Sequence, residues 1–426
     1  MSSSAWHALP QRGHLTRLLS SCSCSPAARL PALAPHSQQQ PAPSKLKRCL
    51  HTSHAHAHAH AHAHAHDNDA QMTVPHRALV SVHGPQTVKL LQGLLTCNVA
   101  PAAFTIDAPP PPLAPEQAAP PPLLYGAFLQ PSGRMLAPVF LHPHPQRSRL
   151  SQETDGEAVV LDLDERNLEE VMHHIRRFKL RSKVKLDAQH FNKQWRVHAH
   201  LALDQSQASS LRAAGAAAAR DARTPQMGHR LLVQAERGND DTGDAHTVHR
   251  YLQGVGEGPI EFVPGASLPL EVNVDWMGGV DYKKGCYVGQ ELTARTHHTG
   301  VVRKRVVPIT LYDPQLGPPS EHAYDPSFDA TTTSGADVRS TGASSSSSSS
   351  SSAARGRSAG RLLGSIHNVG LALLRLEQVH RTLLAPGAEN ALEMSVQTQD
   401  GKTLGVRPWI PYWWPEHAKK AEASGE

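Results

Sequence analysis

Between residues 159 and 203 the alternation of apolar and polar positions changes period several times, and each change marks an element. Val159 to Leu163 is a short apolar run of strand length. Leu168, Val171, Met172, Ile175 and Phe178 then fall three or four apart, the spacing of one helix face, before a second short strand pattern at Lys183 to Asp187. The order is strand, helix, strand. Trp195, Val197, Ala199, Leu201 and Leu203 alternate with other residues as a half-buried strand does. Beyond residue 300 the pattern becomes strand-rich, with Val301 to Leu311, Gly360 to Ile366 and Leu392 to Trp409, the last broken by a hairpin signal at Asp400-Gly401. The pattern predicts an α/β body followed by a C-terminal barrel. Three stretches interrupt it: a proline-rich segment 107 to 122, an alanine-rich segment 208 to 222, and 313 to 358 with its serine run from Ser344 to Ser352. They read as insertions, because none has the composition to build a core.

Charge changes the picture at one end only. The 426 residues carry a formal net charge of +5, with 42 basic and 37 acidic residues. Arg12, Arg17, Arg29, Lys45, Lys47 and Arg48 all precede the first acidic residue, Asp67. Without that arm the chain is close to neutral, so the balance of charge gives no argument for a nucleic-acid partner. Arg303-Lys-Arg305 could be taken for an RNA contact, but a basic triplet on an alternating strand is expected to be a solvated face. The acid-free arm has Leu15, Leu18 and Leu19 at helical spacing with Arg17 opposite, the composition of a mitochondrial transit peptide. Residues 1 to 66 are thus expected to be a transit peptide and a disordered tract, with cleavage near 50 to 52 and histidine alternating with alanine from His54 to His66. No apolar run reaches the ~18 to 20 residues that span a bilayer.

Of five cysteines, Cys22, Cys24 and Cys49 lie in that arm, which leaves Cys97 and Cys286. Two thiols allow at most one disulfide and cannot hold an iron-sulfur cluster by cysteine alone. Cys286 sits between Gly285 and Gly289, residues that free the backbone for close approach or positive φ. Lys283 and Lys284 precede it and are expected to favour its thiolate. The alternative is a buried cysteine in a tight turn.

The run Lys284-Gly-Cys-Tyr-Val-Gly-Gln-Glu291, followed by Leu292-Thr-Ala-Arg295, resembles the signature of the YgfZ-like branch of the glycine-cleavage T-protein superfamily. The likeness extends to Leu91-Gln-Gly-Leu-Leu-Thr96, Tyr125-Gly-Ala-Phe-Leu-Gln-Pro-Ser-Gly-Arg134, Gly254-Val-Gly-Glu-Gly258, Leu268-Pro-Leu-Glu271, Gly300-Val-Val-Arg-Lys-Arg305, Arg361 and Gly370-Leu-Ala-Leu-Leu-Arg-Leu376. It covers residues 72 to 415 apart from the insertions. The resemblance implies an α+β, multi-domain T-protein-like fold: a folate-binding-type body at 72 to 300, a barrel at 301 to 412, and a tail at 413 to 426. It also implies a mitochondrial matrix factor that helps mature [4Fe-4S] client proteins together with A-type iron-sulfur carriers. The other reading is a folate-dependent one-carbon (aminomethyl) transferase. Two departures bear on it. Thr96-Cys97-Asn98 stands where Thr-Asn-Asp is expected, and Ala137 and Pro138 stand where aminomethyltransferases carry acids. A group that could exchange a proton with folate nitrogen is missing.

If tetrahydrofolate is bound, Tyr287 and Trp276 can stack on it, Glu271 can accept from pterin N–H groups, and Arg295 or Lys284 can meet its carboxylates. Gln290, Glu291 and Arg295 can instead form a network that holds the motif loop, with Glu291 and Arg295 at helical i, i+4 spacing. Cys286 has two candidate roles, transient ligand to iron or to a cluster shared with a partner, or nucleophile. With no His-Cys-Asp arrangement nearby, the ligand role is preferred. His297 and His298 read as helix-end residues.

Overall fold

The computed structural model describes residues 71–99, 123–145, 156–203, 207, 210–211, 217–235, 243–329, 331–342, 356–384 and 391–419. The expected transit peptide, the histidine tract, the proline-rich insertion and the serine run lie outside them. The strands in chain order are β1 (Gln71–Thr73), β2 (Arg77–Gly84), β3 (Leu124–Leu129), β4 (Met135–Pro143), β5 (Glu157–Asp164), β6 (Lys185–Asp187), β7 (Trp195–His200), β8 (Ala217–Arg220) and β9 (His229–Gln234), and beyond these β10 (Lys304–Tyr312), β11 (Asp337–Gly342), β12 (Arg357–Ile366), β13 (Val369–Arg375), β14 (Leu392–Gln397) and β15 (Thr403–Pro408). The helices are α1 (Thr87–Gln92), α2 (Leu168–Lys179), α3 (Gln189–Gln194), α4 (Asp244–Gln253), α5 (Gln290–Thr299), α6 (Leu376–Thr382) and α7 (Glu416–Lys419).

The strands make a five-stranded sheet in the order β3-β4-β5-β2-β6, a four-stranded sheet β1-β7-β9-β8, and a closed barrel β10-β13-β12-β11-β14-β15. Every ladder is antiparallel. The class is therefore α+β, and the strand-helix-strand unit is present in a modified form. Its two strands, β5 and β6, flank β2 instead of pairing with each other.

Strand β5 shows why this arrangement holds. Val159, Leu161 and Leu163 join the apolar core with Val171, Met172 and Ile175 of α2. The alternate residues face the other way, where Val160 packs with Val197 and Leu232 of the second sheet. Both faces are buried, so the strand reads as a continuous apolar run. On that second face Asp162 is fully buried and accepts from Arg77 Nε of β2 at 2.6 Å and Arg230 Nη2 of β9 at 2.9 Å. Glu257 meets Arg223 at 2.8 Å and Arg230 at 3.0 Å, and Asp221 meets Arg223 at 2.7 Å. Arg230 and Arg223 lie over the Phe140 ring at 4.1 and 4.7 Å. A strand pair, a second sheet and the loop at 257 are thus joined by charges that satisfy one another away from water.

Four expectations are corrected. Strand β8 falls inside the alanine-rich stretch and pairs with β9 along Ala217 to Arg220. Strand β11 falls inside 313 to 358 and is a barrel strand between β12 and β14, with Val338 fully buried. Polar residues on its exposed face hid it: in Asp337–Gly342 only Val338 is a large apolar residue. The tail starts in the core, since Trp414 is buried against the barrel and packs its ring on Trp276 at 4.9 Å. Arg305, taken with its neighbours for a solvated face, is also buried. Its guanidinium donates to Leu270 O at 2.6 Å and to Asp275 Oδ1 at 2.9 Å, which ties β10 to the loop before the cysteine motif.

Removing one partner of a buried ion pair leaves the other charge uncompensated. Asp162→Asn is expected to cost about 3–5 kcal/mol of stability, read by denaturant unfolding. Burial alone would raise the Asp162 pKa, but Arg230 and Arg77 hold it well below the usual aspartate range. The unfolded state therefore binds the proton first as pH falls, and the Asp162 contribution, complete above about pH 5, is lost progressively in more acid solution. Parent and Asp162→Asn stabilities are expected to converge there. Deleting 337–342 removes a closed strand and is expected to abolish the cooperative thermal transition of the barrel.

Candidate functional site

The loop that carries Cys286 is held from inside by one side chain. Asp281 starts it, its backbone N–H donating to Thr96 O at 2.9 Å and its Oδ1 accepting from the N–H groups of Lys283 and Lys284. That is an Asx-type turn, in which a short carboxylate replaces a backbone acceptor. The turn sends Lys284 inward. Its Nζ donates to the carbonyls of Gln92, Leu95 and Cys97 at 2.7, 2.6 and 2.9 Å. These oxygens lie at and just beyond the end of α1, where helix carbonyls run out of intrahelical donors and attract a cation. Burial pulls the Lys284 pKa down to about 8. Its ammonium lies 4.9 Å from the Tyr287 ring centroid. Lys284 was expected to favour the Cys286 thiolate, whereas the geometry makes it a staple between the loop and the turn after α1.

The far side of the loop is fixed as firmly. Val288 N–H donates to Gly93 O at 3.0 Å, and Tyr287 N–H donates to Gln290 Oε1 at 3.1 Å. Gly289 begins α5 at φ +80, and a Cβ there would fall 2.4 Å from Gln130 O. Gly133 faces it, also at φ +80, and its Cβ would fall 2.7 Å from Leu292 Cβ. The Pro-Ser-Gly turn and the Val-Gly-Gln turn therefore need their glycines to pack on each other. At the end of α5 His297 stacks on Tyr282 with centroids 3.6 Å apart, consistent with a helix-end role.

Between these fixed sides Cys286 is exposed, which excludes a buried filler cysteine. A Cβ built on Gly285 meets nothing within 4 Å, and its φ is not positive, so nothing within the described residues requires glycine there. Cys97 is the opposite case. It is buried against Gly126, and burial pushes its thiol up to about 11, the state of an inert packing residue. Among the described residues, no group of three or more His, Cys, Asp or Glu side chains is placed to hold a metal ion.

The residues expected to hold folate are not brought together. Glu271 lines a cavity of ≈ 560 Å³ between α5 and the start of β10, with Leu268, Leu270, Leu292 and Lys304 among its walls. Trp276 is not in that wall. Arg305 covers its ring at 3.3 Å, and Trp414 meets it at 64°. Tyr287 packs into the core between body and barrel, and Arg295 is exposed on α5. Glu291 is exposed as well, and among the described residues no ion pair joins the two. Ala137 lies buried in β4, where the expected acid is absent. This donor set does not fit tetrahydrofolate as one site.

Sequence reasoning missed the Asp162 network and the Thr96 hydroxyl. That hydroxyl donates to Gly279 O, accepts from Ala127 N–H, and so joins three segments beneath the motif. An aspartate inside the apolar run of β5 was the available signal for the first.

Two sheets with a closed six-stranded C-terminal barrel define the aminomethyltransferase T class of fold. A crystal structure of the glycine cleavage system aminomethyltransferase T from Bartonella henselae superposes with a TM-score of 0.51 at 12% identity, over 81% of this chain and 86% of that one. Residues 303–416 match the family model described as CAF17, C-terminal beta-barrel domain. The iron-sulfur cluster assembly factor IBA57 homolog, mitochondrial, of Mycosarcoma maydis is 41% identical over 361 residues, 80% of this chain and 84% of its own length. The protein of the same description from Neurospora crassa is 33% identical over 384 residues, 81% of this chain and 82% of its own. The chain belongs to the IBA57 family of mitochondrial iron-sulfur cluster assembly factors.

The staple and the glycine contacts yield a pair of stability predictions. Lys284→Met leaves three carbonyls without their donor, at about 1–3 kcal/mol for a buried unsatisfied group. Gly289→Ala forces a side chain into the left-handed region against Gln130 O and costs more than about 1 kcal/mol. Both are expected to lower the melting temperature, and an unchanged value for either would remove that contact from the account.

Proposed function

We propose that the chain acts in the mitochondrial matrix as an assembly factor for [4Fe-4S] proteins, working with an A-type iron-sulfur carrier to which Cys286 lends one thiolate. The observation that carries this reading is the presentation of Cys286. One soft donor stands exposed on a loop fixed at both sides, while no metal-holding group of three side chains exists among the described residues. A single thiolate cannot hold a cluster, but it can complete the ligand set of a cluster that a partner brings. The cluster is then cargo held between two proteins. Gly285 supports the same reading, because its open surroundings leave room for a partner's backbone beside the thiol.

The rival reading, a one-carbon transferase with Cys286 as nucleophile, has less support. Among the described residues the thiol has no hydrogen-bonded base, and Ala137 and Pro138 offer no acid. Tetrahydrofolate itself is supported only by the likeness of fold, and no step of the proposed function passes through it. Product formation from an aminomethyl donor and tetrahydrofolate by the purified protein would favour the rival.

Cys286→Ser and Cys286→Ala are expected to keep the parent melting temperature, since the side chain is exposed, and to abolish [4Fe-4S] enzyme maturation in a reconstituted assay. Full maturation by the alanine variant would remove the thiol from the function. Gly285→Ala is expected to fold with parent stability yet slow maturation by obstructing the approach to the thiol. Parent rates in that variant would show that no partner comes close there.

A further inference from the structure

The ≈ 560 Å³ cavity beside α5 is independent of the Cys286 loop, and its walls have an uncommon composition. Leu268, Pro269, Leu270, Leu292, Val301 and Val302 supply an aliphatic lining. No aromatic ring is among the lining residues. Val301 is 78% exposed, a large apolar side chain left open to water at the cavity's edge. Volume and apolar character fall within the range of small-molecule sites, about 300–1,000 Å³.

The charges at the cavity are unbalanced. Arg303, Lys304 and Arg375 line it against one carboxylate, that of Glu271. Lys304 and Arg375 are register partners across β10 and β13, and like charges directly opposite on neighbouring strands repel. None of the three cations forms an ion pair among the described residues. Burial raises the Glu271 pKa against the opposing pull of Lys304, Arg361 and Arg134, and its single charge leaves the three lining cations in excess. An anion at the strand pair would relieve the repulsion, and an aliphatic chain would cover the leucines and valines.

We propose that this cavity is a binding site for an aliphatic carboxylate, its head group at Lys304 and Arg375 and its chain along Leu268, Leu292 and Val301. A flat heteroaromatic ligand is the poorer match, because the lining offers no ring for stacking. Glu271 separates the two chemistries by sign. It repels a carboxylate head, whereas it would accept from the N–H groups of a pterin.

The test is titration calorimetry of the full chain with dodecanoate and decanoate below their micellar concentrations, and with tetrahydrofolate. Dodecanoate is expected to bind saturably with one site per chain. Removing two methylenes is expected to weaken binding about tenfold, from the usual transfer energy of a buried methylene. Lys304→Gln and Arg375→Gln, both at the cavity's edge, are each expected to weaken binding several-fold at unchanged melting temperature, and Glu271→Gln is expected to tighten it. Absence of saturable dodecanoate binding, or equal affinity for both chain lengths, would overturn the proposal. So would tetrahydrofolate binding that Glu271→Gln abolishes. These outcomes leave the role of Cys286 untouched, since its test reads cluster maturation.

Discussion

Lys284 joins the motif loop to the rest of the body through three carbonyl oxygens. An ammonium has three N–H donors, so this contact uses all of them. The turn after α1 exposes carbonyls that no helix donor reaches, and the motif loop needs an anchor that leaves its tip free. One side chain meets both needs. The depressed Lys284 pKa reflects the cost of keeping that charge away from water. Tip exposure follows, because the loop is held at Lys284 and Val288 and Gly285 and Cys286 between them stay exposed.

The body to which the loop is fastened depends on a different kind of contact. Arg77, Arg223 and Arg230 face Asp162, Asp221 and Glu257 between the sheets. Buried charges of this kind add little stability over an apolar core, yet each becomes expensive once its partner is lost. They therefore fix which strand faces which more than they add to stability. The barrel is joined to the same body by Arg305, whose guanidinium bonds the 270–275 loop and covers Trp276. The motif loop and the barrel thus meet across a few guanidinium and ammonium contacts, and the aliphatic cavity lies where α5 turns into β10.

Much of this was legible in the residues. The strand at 159–163, the helix at 168–178 and the hairpin at Asp400-Gly401 appear where the apolar periods and the turn signal put them. The motif glycine at 289 has the positive φ expected of it. What escaped was whatever depends on long-range partners. Strand β11 has one large apolar residue and is a strand only because β12 and β14 pair with it. Lys284 looked like a charge for the neighbouring thiol because sequence proximity says nothing about direction, and the Asx turn at Asp281 reverses it. Trp276 looked available for stacking because its covers, Arg305 and Trp414, lie 29 and 138 positions away.

The central claim is that this chain contributes one exposed thiolate to a cluster held by another protein. Visible circular dichroism of a [2Fe-2S]-loaded A-type carrier, titrated with the parent chain and with Cys286→Ala, tests it most directly, because the spectrum reports the ligands on iron. The account predicts a saturating spectral change with the parent, and none with the variant at equal concentration and equal melting temperature. The same change from both proteins would contradict it.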